Sequence, residues 1–334
     1  MKKKILFICL IFTLSGCFKE DLPIEAYQSS SDIFTNQVEV GPFYRNQVFF
    51  DLETNKIISS NDRSVWDLAF VNEVASSAIF LNSSKFMKVG ITNSTDFVTC
   101  SEKEIYEWKF DNPSGDKNES ALSSFIVDFD NLKTATKKVF FIDRGYTPDG
   151  NEIGLIKLQI INFTDSTYSI KFCNVSNNII YEHQILKSEL TSFNYFSFDD
   201  GGKTVKVAPP KTQWDLQFTQ YTTRVQQTAT GITEDYLVNG VLLNTESTFA
   251  VLEDLKEFDQ INHKDLPNYS LSNQYDVIGY DWKEYNFQTQ SYEILDDNTY
   301  LIKTQEGNFF KLRFTSFLNN TGERGFPTFN FSKF

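Results

Sequence analysis

The sequence predicts an all-β protein built from two tandem antiparallel β-sandwich domains, with at most one or two short helices. Three observations lead to this prediction: short apolar segments with strand periodicity, turn residues between them, and one long stretch that occurs twice. The chain is also rich in phenylalanine (33) and tyrosine (15), and aromatic residues are favoured on half-buried strands.

The strand segments are readable by their periodicity. Residues 139–142 form a continuous apolar run, which is typical of a strand buried on both faces. Residues 155–160 nearly alternate and residues 167–172 alternate, as half-buried strands do. Helical signals are weak, and the spacing of four apolar residues predicts one short helix: Phe249, Leu252, Leu255 and Phe258.

The chain repeats itself on the scale of a whole domain. Residues 49–70 align with residues 195–218, and both end in Trp-Asp-Leu-x-Phe. Their separation far exceeds the roughly 20–50 residues of solenoid repeats, so it indicates duplicated domains. We place domain one at 36–190 and domain two at 191–334, and we expect domain two to fold alone.

The N-terminus has the form of a lipoprotein signal. Three lysines precede an apolar segment at 5–14, which is shorter than the roughly 20 residues that span a bilayer. Residues 14–17 then read Leu-Ser-Gly-Cys, as in a bacterial lipobox. We predict a signal peptide at 1–16 and acylation of Cys17 as the lipid anchor, against an ordinary secretory signal with a chance cysteine.

Residues 17–35 are predicted to be a lipidated tether to the outer membrane. Phe18-Lys19-Glu20-Asp21 resembles the tract that Bacteroidetes-type bacteria place after the lipid cysteine for export to the outer face. This favours the cell surface over the periplasmic face, which stays the alternative. The formal net charge of −13 repels nucleic acid, so a polyanionic partner is not expected.

Two cysteines remain in the body of the chain, Cys100 and Cys173. An oxidising compartment permits a disulfide between them, but the sequence cannot bring their Cα atoms within about 7 Å. Two buried small hydrophobic residues are the other interpretation. Both stay open at this point.

No catalytic or metal-binding signature is present, so we predict that the protein is not an enzyme and has no metal centre. Gly-x-Ser-x-Gly, HExxH and nucleotide-binding glycine loops are all missing. Residues 111–116 are rich in oxygen ligands but lack EF-hand spacing, so a turn is favoured over a calcium loop. Trp66 and Trp214 are predicted to be core residues, with carbohydrate stacking as the alternative.

Domain two has distinctive segments at both ends, residues 195–198 with 214–218 at the opening and residues 300–331 at the end. These segments resemble the HmuY-like family of Bacteroidetes lipoproteins. Domain one is a more divergent copy. The resemblance implies two tandem HmuY-like all-β domains and a family activity of haem binding between two axial side chains, usually histidines and in some relatives methionines.

The resemblance also directs attention to the middle of each domain. In domain two the candidate haem ligands are His263 and, where a second ligand is expected, Tyr285. Domain one offers only Met87, with His183 near the junction of the domains. Neither domain has a pair of histidines or methionines, so one-sided ligation by His263 or haem held between the domains stays open.

We therefore expect a non-catalytic outer-membrane lipoprotein. Its role would be that of a binding or accessory subunit beside an outer-membrane transporter or assembly machine. The alternative is a haem- or porphyrin-binding, hemophore-like lipoprotein for haem uptake. No cofactor is certain on this reading, and haem is the one that stays open.

Overall fold

The computed structural model describes residues 32–334 except 75, 131, 227–230, 287 and 289–290, so Cys17 and the signal peptide lie outside the described residues. The strands are β1 Phe34–Gln37, β2 Asn46–Asp51, β3 Lys56–Asp62, β4 Leu68–Val71, β5 Ile79–Leu81, β6 Lys88–Ile91, β7 Glu107–Lys109, β8 Ile126–Phe129, β9 Leu132–Ala135, β10 Val139–Asp143, β11 Leu155–Phe163, β12 Thr167–Asn174, β13 Ile180–Leu186, β14 Phe193–Ser197, β15 Lys203–Val205, β16 Leu216–Gln226, β17 Thr233–Leu243, β18 Phe249–Glu253, β19 Lys283–Asn286, β20 Ser291–Ile294, β21 Thr299–Lys303, β22 Phe309–Leu318 and β23 Arg324–Lys333.

Every strand pairing is antiparallel, which confirms the predicted fold class. The described residues contain no α-helix, only short 3₁₀ helices: Pro42–Tyr44, Ser83–Lys85, Glu102–Glu104, Lys117–Glu119, Ser123–Phe125, Asp199–Gly201, Phe258–Gln260 and His263–Asn268. The helix predicted from apolar spacing at 249–258 is wrong. Its first half is β18, which pairs with β21, because backbone pairing at a sheet edge outweighs a weak period-three pattern. No helix among the described residues has the length and apolarity to cross a membrane.

The strands form four main sheets, which we number in the order of their stacking. Sheet 1 has the order β13-β12-β11-β10-β6-β7, and sheet 2 the order β15-β14-β4-β5. Sheet 3 has the order β17-β16-β2-β3, and sheet 4 the order β1-β23-β22-β21-β18. Two separate hairpins, β8–β9 and β19–β20, complete the described pairings.

Three apolar layers join these sheets. Sheets 1 and 2 enclose one core, which contains Leu68, Phe70 and Ile142. Sheets 3 and 4 enclose a second core, which contains Phe50, Phe218 and others. The opposite faces of sheets 2 and 3 pack against each other in a third layer, which we call the seam. The molecule is thus two β-sandwiches joined back to back.

The two tryptophans of the repeated motif lie in the seam and not in the sandwich cores. Trp66 meets Tyr195 edge to face, with ring centroids 4.9 Å apart. Trp214 meets Phe49 in the same way, also at 4.9 Å. Both tryptophans are structural residues, as the sequence predicts, and the two pairs are equivalent under the internal repeat.

Each sandwich contains a hairpin from the other sequence repeat. In sheet 3, β2 of the first repeat pairs with β16 of the second, with Phe50 opposite Leu216. In sheet 2, β14 of the second repeat pairs with β4 of the first, with Phe196 opposite Leu68. We call this reciprocal arrangement the hairpin exchange. The boundaries at 36–190 and 191–334 divide the chain into sequence repeats. They stay a prediction, since sheets 2 and 3 each contain strands from both repeats.

The aspartates of the repeated motif stabilise the hairpin exchange by hydrogen bonds to the hairpin of the other repeat. Asp67 accepts a hydrogen bond from the backbone N–H of Phe198 at 2.8 Å, and Asp215 accepts one from the backbone N–H of Leu52 at 3.0 Å. Both carboxyl groups are almost fully buried, and neither follows the in-and-out alternation of the strand that comes after it. The reason is that β4 and β16 begin only at the leucine that follows each aspartate.

The hairpin exchange predicts that the second repeat does not fold alone. Residues 191–334 lack Val48, Phe50 and Leu52, which are buried in the core of sheets 3 and 4. Burial of three such side chains contributes roughly 5–9 kcal/mol, which is comparable with the 5–15 kcal/mol stability of a typical domain. Thermal unfolding followed by circular dichroism should show no cooperative transition for this fragment.

The matched controls are the soluble chain 32–334 and an equimolar mixture of fragments 32–190 and 191–334. The mixture should regain β-type ellipticity and a cooperative transition because it restores both exchanged hairpins. A sharp transition of fragment 191–334 by itself would show that the exchanged hairpin is dispensable.

Asp215 makes the stability depend on pH. Burial raises its pKa to about 7, with the nearby Asp51 carboxyl acting in the same direction. The unfolded chain has an aspartate pKa of about 3.9, so the folded protein binds the proton more tightly. The stabilisation from this proton is full below about pH 4 and is lost as the pH rises through 7.

We therefore expect Asp215→Asn to flatten the fall in stability between pH 5 and pH 8. The wild-type loss from this residue over that interval is about 2.5 kcal/mol. Urea unfolding at both pH values measures it, with the exposed Asp254→Asn as a control for the same charge change. Some dependence should remain, because burial also raises the pKa of Asp111 to about 7. An unchanged slope in Asp215→Asn would contradict this assignment.

Candidate functional site

An open cleft of about 520 Å³ lies where both sequence repeats contribute walls, and we call it the aromatic cleft. Its rings come from Phe43, Tyr44, Phe86 and Tyr146 of the first repeat and Tyr236 of the second. The volume is within the 300–1,000 Å³ typical of small-molecule sites. The cleft is therefore the candidate functional site.

Three of these aromatic residues have left-handed backbone conformations. The φ angles are 56° at Phe43, 50° at Tyr44 and 62° at Phe86. The other non-glycine residues with positive φ are Asn55, Asp130, Lys137, Asn178 and Asp200, so every aromatic residue of this kind among the described residues lines the cleft. This conformation costs an L-residue roughly 1–2 kcal/mol, and such strain concentrates at functional sites.

Local hydrogen bonds and packing maintain the strained segments. Gly41 precedes the 3₁₀ helix Pro42–Tyr44, and the Tyr44 N–H donates to the Gly41 carbonyl at 3.0 Å. Phe86 ends the 3₁₀ helix Ser83–Lys85 and donates its N–H to Ser83 at 3.2 Å. Its ring packs on Phe110 with centroids 4.8 Å apart.

Three of the rings are open to solvent. The exposed fraction is 73% for Phe43, 57% for Tyr236 and 41% for Tyr146. Tyr236 is on β17, and Tyr146 begins a loop that closes through an isolated bridge to Glu152. Exposed large aromatic residues grouped in a concave site are typical of ligand-binding surfaces.

Two buried cations line the cleft beside these rings. Arg63 is only 3% exposed, and its Nε donates to the Tyr44 carbonyl at 3.0 Å while Nη1 donates to the Ser84 carbonyl. Burial lowers the pKa of Arg63 to about 10, so it stays protonated at neutral pH. Among the described residues Arg63 forms no ion pair, and its charge is favoured by the two carbonyl dipoles and by the nearby Asp62 carboxylate.

Lys85 is balanced by a carboxylate. Its Nζ forms an ion pair with Asp67, which also binds the Arg144 guanidinium at 2.8 Å. Arg144 continues to Asp199 at 2.8 Å. Burial lowers the pKa of Lys85, and the Asp67 charge opposes that shift. Of the two buried cations of the aromatic cleft, Arg63 is therefore the one without an ion pair among the described residues.

The two haem-ligand candidates from the sequence are placed on opposite faces of sheet 4. His263 begins the exposed 3₁₀ helix His263–Asn268, whose Leu266 packs with Leu301. Tyr285 is on the β19–β20 hairpin, which packs toward the face that carries Tyr300. Its ring meets Tyr292 at 5.2 Å. The structure does not bring His263 and Tyr285 together.

The other sequence candidates lie apart from both of these residues. His183 is on β13 of sheet 1, where its Nε2 is 2.8 Å from the Gly201 carbonyl oxygen. Met87 is 1% exposed in the core of sheets 1 and 2. Cys100 and Cys173 are both free and buried in one small apolar cluster, so the structure has them as hydrophobic residues.

The acidic stretch at 111–116 forms turns. Asp111 accepts hydrogen bonds from the backbone N–H groups of Leu81 and Ala121, and Asp116 caps the 3₁₀ helix Lys117–Glu119. No group of three or more histidine, cysteine or acidic side chains is placed to hold a metal ion in the described part of the chain.

Sequence reasoning missed the aromatic cleft. Its residues are far apart in the chain, and the hairpin exchange determines which parts of the repeats meet. The only local signal is Gly41-Pro42 before two aromatic residues, which indicates a turn. Nothing in the sequence indicates left-handed φ angles at three aromatic positions.

Comparison with known proteins gives a family. The model of the HmuY protein family matches twice, at residues 43–194 and 189–331. No curated protein matches the chain. Among solved structures, apo PinO from Porphyromonas gingivitis has 8% identity and a TM-score of 0.28 over 91% of this chain and 98% of its own.

Two further structures give similar values. The apo HmuY analogue of Tannerella forsythia has 9% identity and a TM-score of 0.29 over 93% of this chain and 98% of its own. A Bacteroides vulgatus protein described as a candidate HmuY-like haem-binding protein has 11% identity and a TM-score of 0.23, with 90% of each chain covered. Superpositions this weak carry no argument, so the assignment rests on the two family-model matches. The chain belongs to the HmuY family and contains two tandem copies of its domain.

Proposed function

We propose that this protein is a non-catalytic outer-membrane lipoprotein that binds a ligand in the aromatic cleft. It would serve as a binding or accessory subunit beside an outer-membrane transporter or assembly machine. The observation that carries the proposal is the grouping of five rings, three of them open to solvent and three on strained backbone, around a buried arginine that forms no ion pair with the described residues. Strain is retained where the surrounding structure holds a site ready for its ligand.

The residues of the aromatic cleft support binding in preference to catalysis. Its lining includes neither histidine nor cysteine, the side chains that most often act as general base or nucleophile at neutral pH. Its charged groups are a buried arginine, a buried lysine already paired with Asp67, and Asp235 at one wall. Such a site is suited to holding a ligand.

The membrane location rests on the N-terminal sequence. The lipobox cysteine, Cys17, precedes the first described strand, which starts at Phe34. The segment between them is the lipidated tether predicted at 17–35. It would attach the protein to the membrane of its partner, at the cell surface in preference to the periplasmic side.

Haem uptake is the second candidate, because haem binding is associated with the HmuY family. Two-sided ligation does not fit the described residues of this chain. His183 and His263 belong to opposite ends of the four-sheet stack, and Met87 is enclosed in a core. One-sided ligation by His263, or by a tyrosine such as Tyr285 or those of the cleft, is the form of haem binding that these residues allow.

The lipoprotein part of the proposal is tested by Cys17→Ala. Without the acyl chains, the protein should move from the membrane pellet to the soluble fraction, since each buried methylene contributes about 0.8 kcal/mol to membrane binding. Immunoblots of fractionated cells measure this, with Cys9→Ala inside the signal as the matched control. Retention of most Cys17→Ala protein in the membrane would refute lipidation at this residue.

The choice between the two candidates is tested by haem titration of residues 32–334. We expect no saturable, red-shifted Soret band at micromolar haem, because no two-sided ligand set is formed. A saturable band that disappears in His263→Ala would establish haem binding at that histidine. A band that persists in His263→Ala but disappears in Tyr146→Phe or Tyr236→Phe would place haem in the aromatic cleft.

A further inference from the structure

We infer that the aromatic cleft selects a small organic anion with a flat ring system, whose acidic group binds Arg63 and whose rings stack on Phe43 and Tyr236. This inference rests on the proposed binding function and specifies its ligand class. It follows from three observations on the described residues: the state of Arg63, the comparison with the equivalent residue of the second repeat, and the placement of the rings.

Arg63 is arranged to receive an anion. Its Nε and Nη1 are fixed by the carbonyls of Tyr44 and Ser84, which orients the planar guanidinium at the cleft. Nη2 makes no hydrogen bond to the described residues. The nearby Asp62 carboxylate favours the charge of Arg63 but forms its ion pair with Arg45. A buried charge without a direct partner is costly, and a carboxylate, sulfonate or phosphate that accepts from Nη2 would supply that partner.

The second repeat shows what this position looks like without a cleft. Asn82 donates to the carbonyls of Arg63 and Trp66 at 2.7 and 2.8 Å. Asn244 donates to those of Lys211 and Trp214 at 2.7 and 2.9 Å. Lys211 is therefore the equivalent of Arg63.

Lys211 is an ordinary surface cation. Its side chain is 37% exposed and forms an ion pair with Glu246 at 3.1 Å. Arg63, in contrast, is buried, bears the planar group and has no carboxylate partner. The fold of the repeat thus does not require a buried arginine at this position. The buried arginine occurs in the repeat whose copy of this position lines the aromatic cleft.

The rings indicate the rest of the ligand. Phe43 and Tyr236 are the most exposed rings of the cleft and come from different repeats, so a flat molecule can contact both. Aromatic contacts of this type contribute about 0.5–1.5 kcal/mol each beyond burial. Tyr146 also lines an adjoining groove of about 330 Å³ that contains Trp108 and Lys88, which leaves room for a ligand larger than one ring.

The test uses two fluorescent probes of the same shape and different charge. 8-Anilinonaphthalene-1-sulfonate carries the anion, and N-phenyl-1-naphthylamine is its neutral counterpart. Residues 32–334 should bind the sulfonate more tightly than the neutral probe. Arg63→Gln should raise the Kd of the sulfonate about tenfold and change the Kd of the neutral probe less than twofold, since the neutral probe has no group that the charge can bind. A similar loss for both probes would show that removing the hydrogen bonds to Tyr44 and Ser84 has displaced the rings, and it would contradict selection by charge. Arg224→Gln, an exposed arginine outside the cleft, is the matched charge control.

Variants of the walls separate a binding role from a structural one. Tyr236→Ala and Phe43→Gly should each weaken both probes several-fold. Phe43→Gly should leave the melting temperature unchanged or higher, because glycine relieves the left-handed φ of 56°. Phe129→Ala, which removes an equally exposed ring on β8, is the matched control. A lower melting temperature in Phe43→Gly would assign that conformation to folding and overturn the argument from strain.

The outcomes separate the ligand class from the proposed function. If the wall variants weaken both probes but Arg63→Gln affects neither selectively, the cleft binds ligands and the anionic class is wrong. If the wall variants and Arg63→Gln bind both probes as wild type does, the cleft is not a binding site, and the proposed function falls with the inference.

Discussion

The hydrogen bond from each exchanged hairpin to a buried aspartate is the interaction on which the rest of the structure depends. Asp67 and Asp215 each receive a backbone N–H from the opposite repeat, and each donates its own N–H back, to the carbonyls of Phe196 and Phe50 at 2.8 and 2.9 Å. A buried carboxyl group tolerates the loss of water only when its lone pairs are occupied. The exchange is therefore fixed at the same two points that orient the tryptophans of the seam, and the two sandwiches cannot separate without exposing both.

The two copies use the same frame with different electrostatics, and this difference produces the site. Around Asp67 the partners are Lys85 and Arg144, whereas around Asp215 they are the Leu52 N–H and the Thr248 hydroxyl. The Thr248 hydroxyl donates a hydrogen bond to Asp215 but brings no positive charge. Burial therefore raises the pKa of Asp215. Lys85 and Arg144 instead form ion pairs with Asp67 beside the aromatic cleft. The first copy therefore has a network of paired charges at this position, where the second has a carboxyl group without a cationic partner among the described residues.

Periodicity and repetition were sufficient to predict the antiparallel fold class and the duplication, because both are local properties of the sequence. The hairpin exchange was not predictable. Phe50 and Phe196 are on equivalent hairpins, and Leu68 and Leu216 begin equivalent strands. Pairing of hairpin and strand within one repeat would therefore bury the same kinds of side chain as pairing between the repeats. The same ambiguity conceals the aromatic cleft, which exists only when the repeats meet. His263 and Tyr285 were singled out by residue type alone, and residue type says nothing about the sheet face on which each lies.

The backbone strain of the aromatic cleft is connected with the packing of the two repeats against each other. Left-handed aromatic residues at Phe43, Tyr44 and Phe86 would relax in a flexible loop, so their persistence requires neighbours that cannot move. Those neighbours are supplied across the repeats: the Thr222 hydroxyl on β16 donates to the Ser83 carbonyl at 2.6 Å, beside the turn that Phe86 ends. Arg63 bridges the two strained segments, because it binds the carbonyls of Tyr44 and Ser84 together. A ligand anion on Arg63 would therefore act on both segments at once, and without the second repeat the turn at Ser83 would lose its hydrogen bond from Thr222.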